Sequence, residues 1–553
     1  MRATTSARNS IGSLLPAAAL MLLGAVVTVP VAAGAWTAIA DAMNTAQRSA
    51  PPMGNWGLVA LRTAAYPLGI GILATVLALP VAWVLRGGLS AAAQRWCFAL
   101  ALAPLMLPNY LAFAGWTLVR APGTWLGDRL ERGPEWANLL AGKVLAVTGL
   151  SLWAWPAALM VLMAAFAGLP QSQVDALRLH AGRQRVASEI VNLIRRPIAA
   201  AVLLVALMMI GSPVPLHLAQ AETLGVRLMA GLALTSHPGE VWLQSWPLVV
   251  LALVAAWFIS GRAAAWRGQE PADATIARPG RAIGVGSMLV WVAAVIVPLV
   301  LFALSLRRAA SVWLFWKENA ASVRDSGWIA LATGGVVGAI ALTTWAAIGI
   351  ARRPSGAAAA RIVLAALLVT ALLPGVLVGS AVRSFFNAPW TGGLGDAMIG
   401  SGWIVVIAHA ARFGFIGAAC GLWLASLEPQ ALRDARRLAG GETLAGWWRL
   451  AAHPRIAAVV GVALAAAALS LHEIESTVQA YPASENPALA QQVLDALHYL
   501  KQEQTSAAAV GMVLMALVAA VGAAACLSVT AVSRAPRSDT APFRNETDPA
   551  KLP

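Results

Sequence analysis

Twelve apolar runs, each near the length that crosses a bilayer, leave this chain few ways to fold. A helix needs about 20 mostly apolar residues to span the hydrocarbon core, where every backbone amide must find its partner inside the protein. The runs are 11–38, 60–85, 96–119, 143–169, 198–216 and 241–260, then 283–306, 328–350, 362–382, 403–427, 456–471 and 506–532. Composition agrees: 59% of residues are hydrophobic, 11% are charged, and the mean hydropathy is +0.72, far outside the soluble globular range. The expected fold class is all-α, a membrane protein of about 12 transmembrane helices. Residues 261–281 are polar, basic and rich in Gly and Pro, and divide the runs into 1–260 and 282–532, with a polar tail over 533–553. The run 11–38 follows Arg2 and Arg8 as a signal peptide would, but it is long enough to span and is read as a retained helix.

Two long polar interruptions repeat one another. Asp175, Ala176, Arg178, Leu179 and Gly182 fall on Asp434, Ala435, Arg437, Leu438 and Gly441 at a spacing of 259 residues. The repeat reaches further. A Leu-Pro in the third run of each half places Pro108 on Pro374 at a spacing of 266, and TLGVRLM at Thr223 lies 265 residues before ALAQQVL at Ala488. The chain therefore reads as a tandem repeat of one six-helix unit.

The paired interruptions resemble the EAA loop, the E-A-A-x-x-x-G signature of type I ABC importer permeases. The second copy, D-A-R-R-L-A-G, carries Gly440 in the glycine position; the first has Ala181 there and Gly182 one place later, and both have Asp in place of Glu. The Leu-Pro usual downstream is missing from both, with Pro197 and Pro454 only near that place. The resemblance implies a short coupling helix between the fourth and fifth spans of each half, docking on a separate ATPase. Asp175, Ala176, Leu177, Leu179 and Gly182 would act in the first loop, and Asp434, Ala435, Leu438, Gly440 and Gly441 in the second. The expected partners are two ATP-binding subunits, a periplasmic or lipid-anchored substrate-binding protein, and membrane lipid. Two fused halves look most like the ferric-iron and thiamine branch, so ferric iron is the expected cargo, with thiamine, polyamine or another small solute as alternatives for the same machine.

Local patterns add expectations about the loops. Ser172 and Asp175 have capping-box spacing, and Pro429 suits a first helical position. Gly182 and the pair Gly440-Gly441 offer residues that turn left-handed and stop a helix. Val174, Leu177 and Ala181 fall on one helical face, which suits docking in a cleft of a soluble partner.

Charge sets the orientation. Lys and Arg number 25 on the side of the termini and both loops against 13 on the other, which places the termini and loops in the cytoplasm; the resemblance implies a bacterial inner membrane. The net charge of +15 is accounted for by these loop anchors and implies no nucleic-acid partner. Gly142-Lys143 lacks an upstream glycine-rich phosphate loop, so ATP hydrolysis by a Walker motif is excluded and the chain is not expected to be an enzyme. Cys97, Cys420 and Cys526 are isolated and suggest neither disulfides nor a metal site; no cofactor is implied.

Inside the spans, His409 and Arg412 share a helical face, and a charge there must face protein or water. They and Glu473 are candidate pathway residues, with pairing of Arg412 to a helix end or a carboxylate as the alternative. His472, Glu473 and Glu475 after the eleventh run read as a gate or as an interfacial polar cap. A secondary transporter with a six-plus-six repeat is the competing function. It would call for intramembrane acids and a basic loop after the second span, whereas RGGLSAAAQRW at Arg86 holds two arginines and no acid.

Overall fold

The computed structural model of the protein describes residues 2–44, 55–87, 89–180, 183–234, 238–265, 280–350, 355–428, 430–481, 487–499 and 501–532. Among these, every regular element is helical. Nine helices are long and apolar enough to cross a membrane, or twelve if three bent pairs each count as one span. The chain is thus a multi-pass membrane protein by the length and composition of its helices. Exposed side chains such as Leu22, Trp36, Trp257 and Val518 give the outside of the bundle an apolar surface suited to lipid. Most of the linker and the whole tail, 266–279 and 533–553, lie outside the described residues.

The first half runs α1 (Arg2–Asn44), α2 (Trp56–Arg86), α3 (Ala91–Leu102), α4 (Asn109–Thr117), α5 (Trp125–Glu131) and α6 (Glu135–Ala167). It continues with α7 (Gln171–His180), α8 (Arg183–Leu193), α9 (Arg195–Ile210), α10 (Pro213–Leu218), α11 (Leu224–Leu234), α12 (Pro238–Gln244) and α13 (Trp246–Ala265). The second half runs α14 (Arg281–Trp291), α15 (Val297–Leu304), α16 (Ala310–Glu318), α17 (Ala320–Ile350), α18 (Ser355–Leu372), α19 (Gly375–Phe386) and α20 (Gly392–Ile399). It ends with α21 (Trp403–Ser426), α22 (Gln430–Leu438), α23 (Leu444–Trp447), α24 (Ile456–His472), α25 (Glu475–Ala480), α26 (Leu489–His498) and α27 (Gln502–Val532).

Proline decides where spans break. The third apolar run is not one helix: its two segments, Ala92–Met106 and Asn109–Arg120, meet at 82°. Pro108 there has φ −57 and ψ 129, and Pro374, between α18 and α19, has φ −52 and ψ 134. A proline ring blocks the preceding turn and removes one amide donor, so both helices stop and restart. The fifth run likewise ends early. α9 stops at Ile210, and Pro213 and Pro215 form the separate short helix α10. The run expected over 198–216 is therefore shorter at its end and begins at Arg195, bent by 59° from the helix before it.

Helix pairing follows parallel lines in the two halves. α2 packs on α6 and α9, as α17 packs on α21 and α24. Without a hydrophobic drive between helices in lipid, small residues allow the backbones to close. A Cβ on Gly71 would lie 2.5 Å from the Val202 carbonyl oxygen, and one on Gly334 would lie 2.5 Å from that of Ala463. The first helix of each half also reaches across to the other half. α1 packs on α17, α18, α19 and α21, while α14 packs on α2 and α15 on α4.

Candidate functional site

Two regions gather the polar chemistry. The first is the pair of loops after α6 and α21. The amides of Gln173 and Val174 donate to the Pro170 carbonyl, so α7 begins before Ser172 and the expected Ser172–Asp175 capping box does not form. Asp175 instead accepts from the Gln171 amide at 2.8 Å and pairs with Arg178 at 3.2 Å. Asp434 pairs with Arg437 at 3.4 Å in the same i, i+3 geometry. Ala181, Gly182 and Pro429 lie outside the described residues.

The end of α22 is a full Schellman motif. The Gly441 amide donates to the Arg436 carbonyl at 2.9 Å and the Gly440 amide to the Arg437 carbonyl at 3.1 Å. Gly440 sits at φ 84, in the left-handed region, as its position in the sequence suggests. Thr443 then caps α23, its hydroxyl accepting from the Gly446 amide at 3.1 Å. Trp447, buried edge-on against Trp345 at 5.1 Å, ties the second arm of the loop to α17.

The inward faces of the two loops are built from opposite chemistry. Val174 is fully buried, and Leu177 packs beside it against the bundle with Leu169. The apolar face expected to meet a partner is thus turned to the chain's own core: periodicity identified the stripe, but the bundle, not a partner, covers it. At 259 residues' spacing the same three places hold Glu428, Arg433 and Arg436. Arg436 grips Glu428 through Nε at 2.7 Å and Nη2 at 3.2 Å, and donates to the Gly441 carbonyl at 2.6 Å and to the Gly349 carbonyl of α17 at 2.9 Å. Arg433 stands 3.8 Å from Glu428. Nothing in the second loop alone marks Glu428 and Arg436 as buried. The signal is that each replaces an apolar residue of the first copy.

The outward faces match. Asp175, Ala176 and Leu179 are exposed, as are Asp434, Ala435 and Leu438, and the two leucines stand 82% and 91% accessible.

The second region lies where the broken spans converge. His409 and Arg412 are one turn apart on α21, and both are largely buried. Arg412 reaches the ends of two helices, donating to the Gly211 carbonyl after α9 at 3.4 Å and to Ala371 and Leu373 at the end of α18 at 3.3 and 2.5 Å. It also faces Glu473 at 3.7 Å and Glu475 at 3.5 Å. Glu475 accepts from Ser212 at 2.9 Å, and from the Val214 and Gly375 amides at 3.4 and 3.3 Å. Asn109, at the start of α4, donates to the Ser212 hydroxyl at 2.6 Å. Glu473 accepts from the Ser476 amide at 3.1 Å. Both carboxylates are therefore buried, at 10% and 4% exposure, and Glu475 joins groups of the two halves.

His409 bonds Ser470 through Nδ1 at 2.7 Å and Thr477 through Nε2 at 2.8 Å. Thr477 gives its single hydroxyl proton to the Glu473 carbonyl, so His409 Nε2 must be the donor to Thr477. A cavity of ≈ 10 Å³ lies beside His409, Glu473 and Tyr481, room for about one water. No group of three His, Cys, Asp or Glu residues among those described is arranged for a metal ion.

The Leu-Pro break of the first half is closed differently. Trp153 Nε1 donates to the Leu107 carbonyl at 2.8 Å, and Trp153 stands 259 residues before Arg412. An indole thus caps one break and a guanidinium the other.

Beyond the breaks, the segments at Thr223 and Ala488 become α11 and α26. Glu222 nearby is bridged by Arg227 at 2.7 Å and Arg62 at 2.9 Å. The hydrogen bond from Arg227, more than any other contact, holds its carboxyl below the usual range. His217 and His498 lie 6.0 Å apart across the two halves, and burial, then His498, lowers the pKa of His217.

Comparison with protein-family models, curated proteins and solved structures returned no match.

Proposed function

We propose that this chain is the transmembrane subunit of an importer whose energy comes from separate ATPase subunits, with two six-helix repeats fused in one polypeptide as in the type I ABC permeases it resembles. One observation carries the reading. The loops after α6 and α21 keep the same outward residues, Asp175/Asp434, Ala176/Ala435, Arg178/Arg437 and Leu179/Leu438, while their inward residues differ completely. Packing against the bundle does not require a match among residues that face solvent. Two copies of one soluble partner, each meeting an exposed leucine beside an Asp–Arg pair, account for it. The parallel helix pairings and the shared proline geometry at Pro108 and Pro374 support the repeat. The excess of Lys and Arg on the loop side supports a cytoplasmic position for the loops and termini. The opposite surface, with α11 and α26, is the place for a substrate-binding protein, and ferric iron remains the expected cargo by resemblance.

The purified chain should hydrolyse no ATP. Drawn from its own membrane by an affinity tag and weighed by native mass spectrometry, it should carry two ATPase subunits. Hydrolysis by the bare chain, or a complex holding a single ATPase, would overturn the reading.

Gly440→Val tests the second loop. A Cβ there meets nothing within 4 Å, so the penalty is purely conformational: a β-branched residue is forced out of the left-handed region at a cost of about 1 kcal/mol or more. Expression and membrane insertion should survive, while ATP hydrolysis in the reconstituted complex becomes uncoupled from uptake. Normal uptake by this variant would mean that the α22 turn plays no part in coupling.

A further inference from the structure

We propose that the oxygens around Arg412 form a cation-binding site on the translocation path, filled in this state by the chain's own guanidinium and open to a cationic solute when Arg412 withdraws. The inference rests on the permease reading for its place on a path, and on the geometry alone for the site.

Five oxygens from both halves face one cation: the carbonyls of Gly211, Ala371 and Leu373, and one carboxylate oxygen each of Glu473 and Glu475. The carbonyls close α9 and α18, where helix dipoles leave negative charge. Discontinuous helices whose ends meet between two repeats are how membrane transporters assemble ion and substrate sites. Here the ends are supplied by the breaks at Pro213 and Pro374.

The carboxylates do not depend on Arg412 for their position. Glu475 is fixed by Ser212 and by the amides that open α10 and α19, and Glu473 by the amide and hydroxyl of Ser476. Each carboxyl is therefore held by donors other than Arg412 and stays in place if the guanidinium leaves. Arg412 itself is held through Nη1 by the three carbonyls and makes no close bond to either carboxylate. Its carboxylate contacts are 3.5 and 3.7 Å, and its buried Nε has no hydrogen-bond partner. Arg436, by contrast, meets Glu428 at 2.7 Å, within the range of a strong charge-assisted bond. One arginine bonds its carboxylate directly, and the other leaves its two carboxylates free of a direct bond from it.

Terbium(III), a hard cation whose emission is sensitised by aromatic side chains, is a suitable probe, titrated into the purified chain in nanodiscs. Arg412→Gln should add one saturable site that binds about tenfold or more tighter than any in the parent, since a unit charge within 4 Å is worth at least that in a partly screened site. Glu473→Gln with Glu475→Gln in the same background should remove it. An Arg412→Gln titration that matches the parent, or an added site that persists without the two carboxylates, overturns the proposal. If Arg412→Gln does not fold, Arg412→Lys decides: its shorter ammonium reaches fewer of the oxygens, so terbium binding should tighten severalfold, and unchanged binding overturns the proposal. The measurement needs no ATPase, so its failure leaves the permease reading standing, and failure to recover two ATPases leaves the cation site standing.

Discussion

Arg436→Leu should destabilise the chain by about 3–5 kcal/mol, the cost of stranding one member of a buried ion pair. Glu428 would remain 7% exposed, facing only Arg433 at 3.8 Å, and the carbonyls of Gly349 and Gly441 would lose a donor. The triple change Glu428→Leu, Arg433→Val and Arg436→Leu installs the inward residues of the first loop. It should recover most of the loss, because well-packed apolar groups often replace a buried ion pair at little cost. A deficit of about 1–3 kcal/mol should persist for the two unsatisfied carbonyls. Thermal unfolding of the detergent-solubilised chain reads all three states. A single variant as stable as the parent would mean the pair holds nothing; a triple variant no better than the single would mean the two inward faces are not interchangeable.

Gly34→Val should also be damaging, by a different route. A Cβ on Gly34 would lie 1.8 Å from the Ala381 carbonyl oxygen and 2.9 Å from the Phe385 amide nitrogen. Both are backbone atoms of α19, so no side chain can swing away and the helices must separate. Overpacking of this kind costs about 1–3 kcal/mol, occasionally more. Because α1 also packs on α17, α18 and α21, the separation would loosen the grip of the first helix on the second half. Gly69→Val is the control, since a Cβ there meets nothing within 4 Å. Size-exclusion profiles after a heating step should show loss of monodisperse chain for Gly34→Val and none for Gly69→Val. Equal survival would mean that the α1–α19 contact is not tight.

Much of this architecture can be read from the sequence because it depends on local chemistry. Apolar length marks the spans, Leu-Pro marks the breaks at Pro108 and Pro374, and a paired glycine marks the left-handed turn at Gly440. What could not be read depends on which neighbour stands opposite. The stripe of Val174 and Leu177 is equally compatible with a partner's cleft and with the chain's own bundle, and only the packing of α7 decides. Arg436 sits in a polar run and looks solvated, yet its acceptor at Gly349 lies 87 residues away. Arg412 shows the same limit. Its acceptors at Gly211, Ala371 and Leu373 are 201, 41 and 39 residues distant, so periodicity places it on a face but cannot say what that face meets. Ser172 failed as a cap for a nearer reason: the Pro170 carbonyl had already opened the helix.

The indole at Trp153 and the guanidinium at Arg412 bear on how a chain with two similar halves can be composed. In a pair of identical chains, any group near the dyad meets its own image. A neutral residue on one side and a charged residue on the other is a composition open only to unlike halves, and a covalent link between them guarantees that each molecule receives one of each. Joining the halves thus does more than fix their ratio: it lets the centre of the molecule carry a dipole that strict two-fold symmetry would cancel.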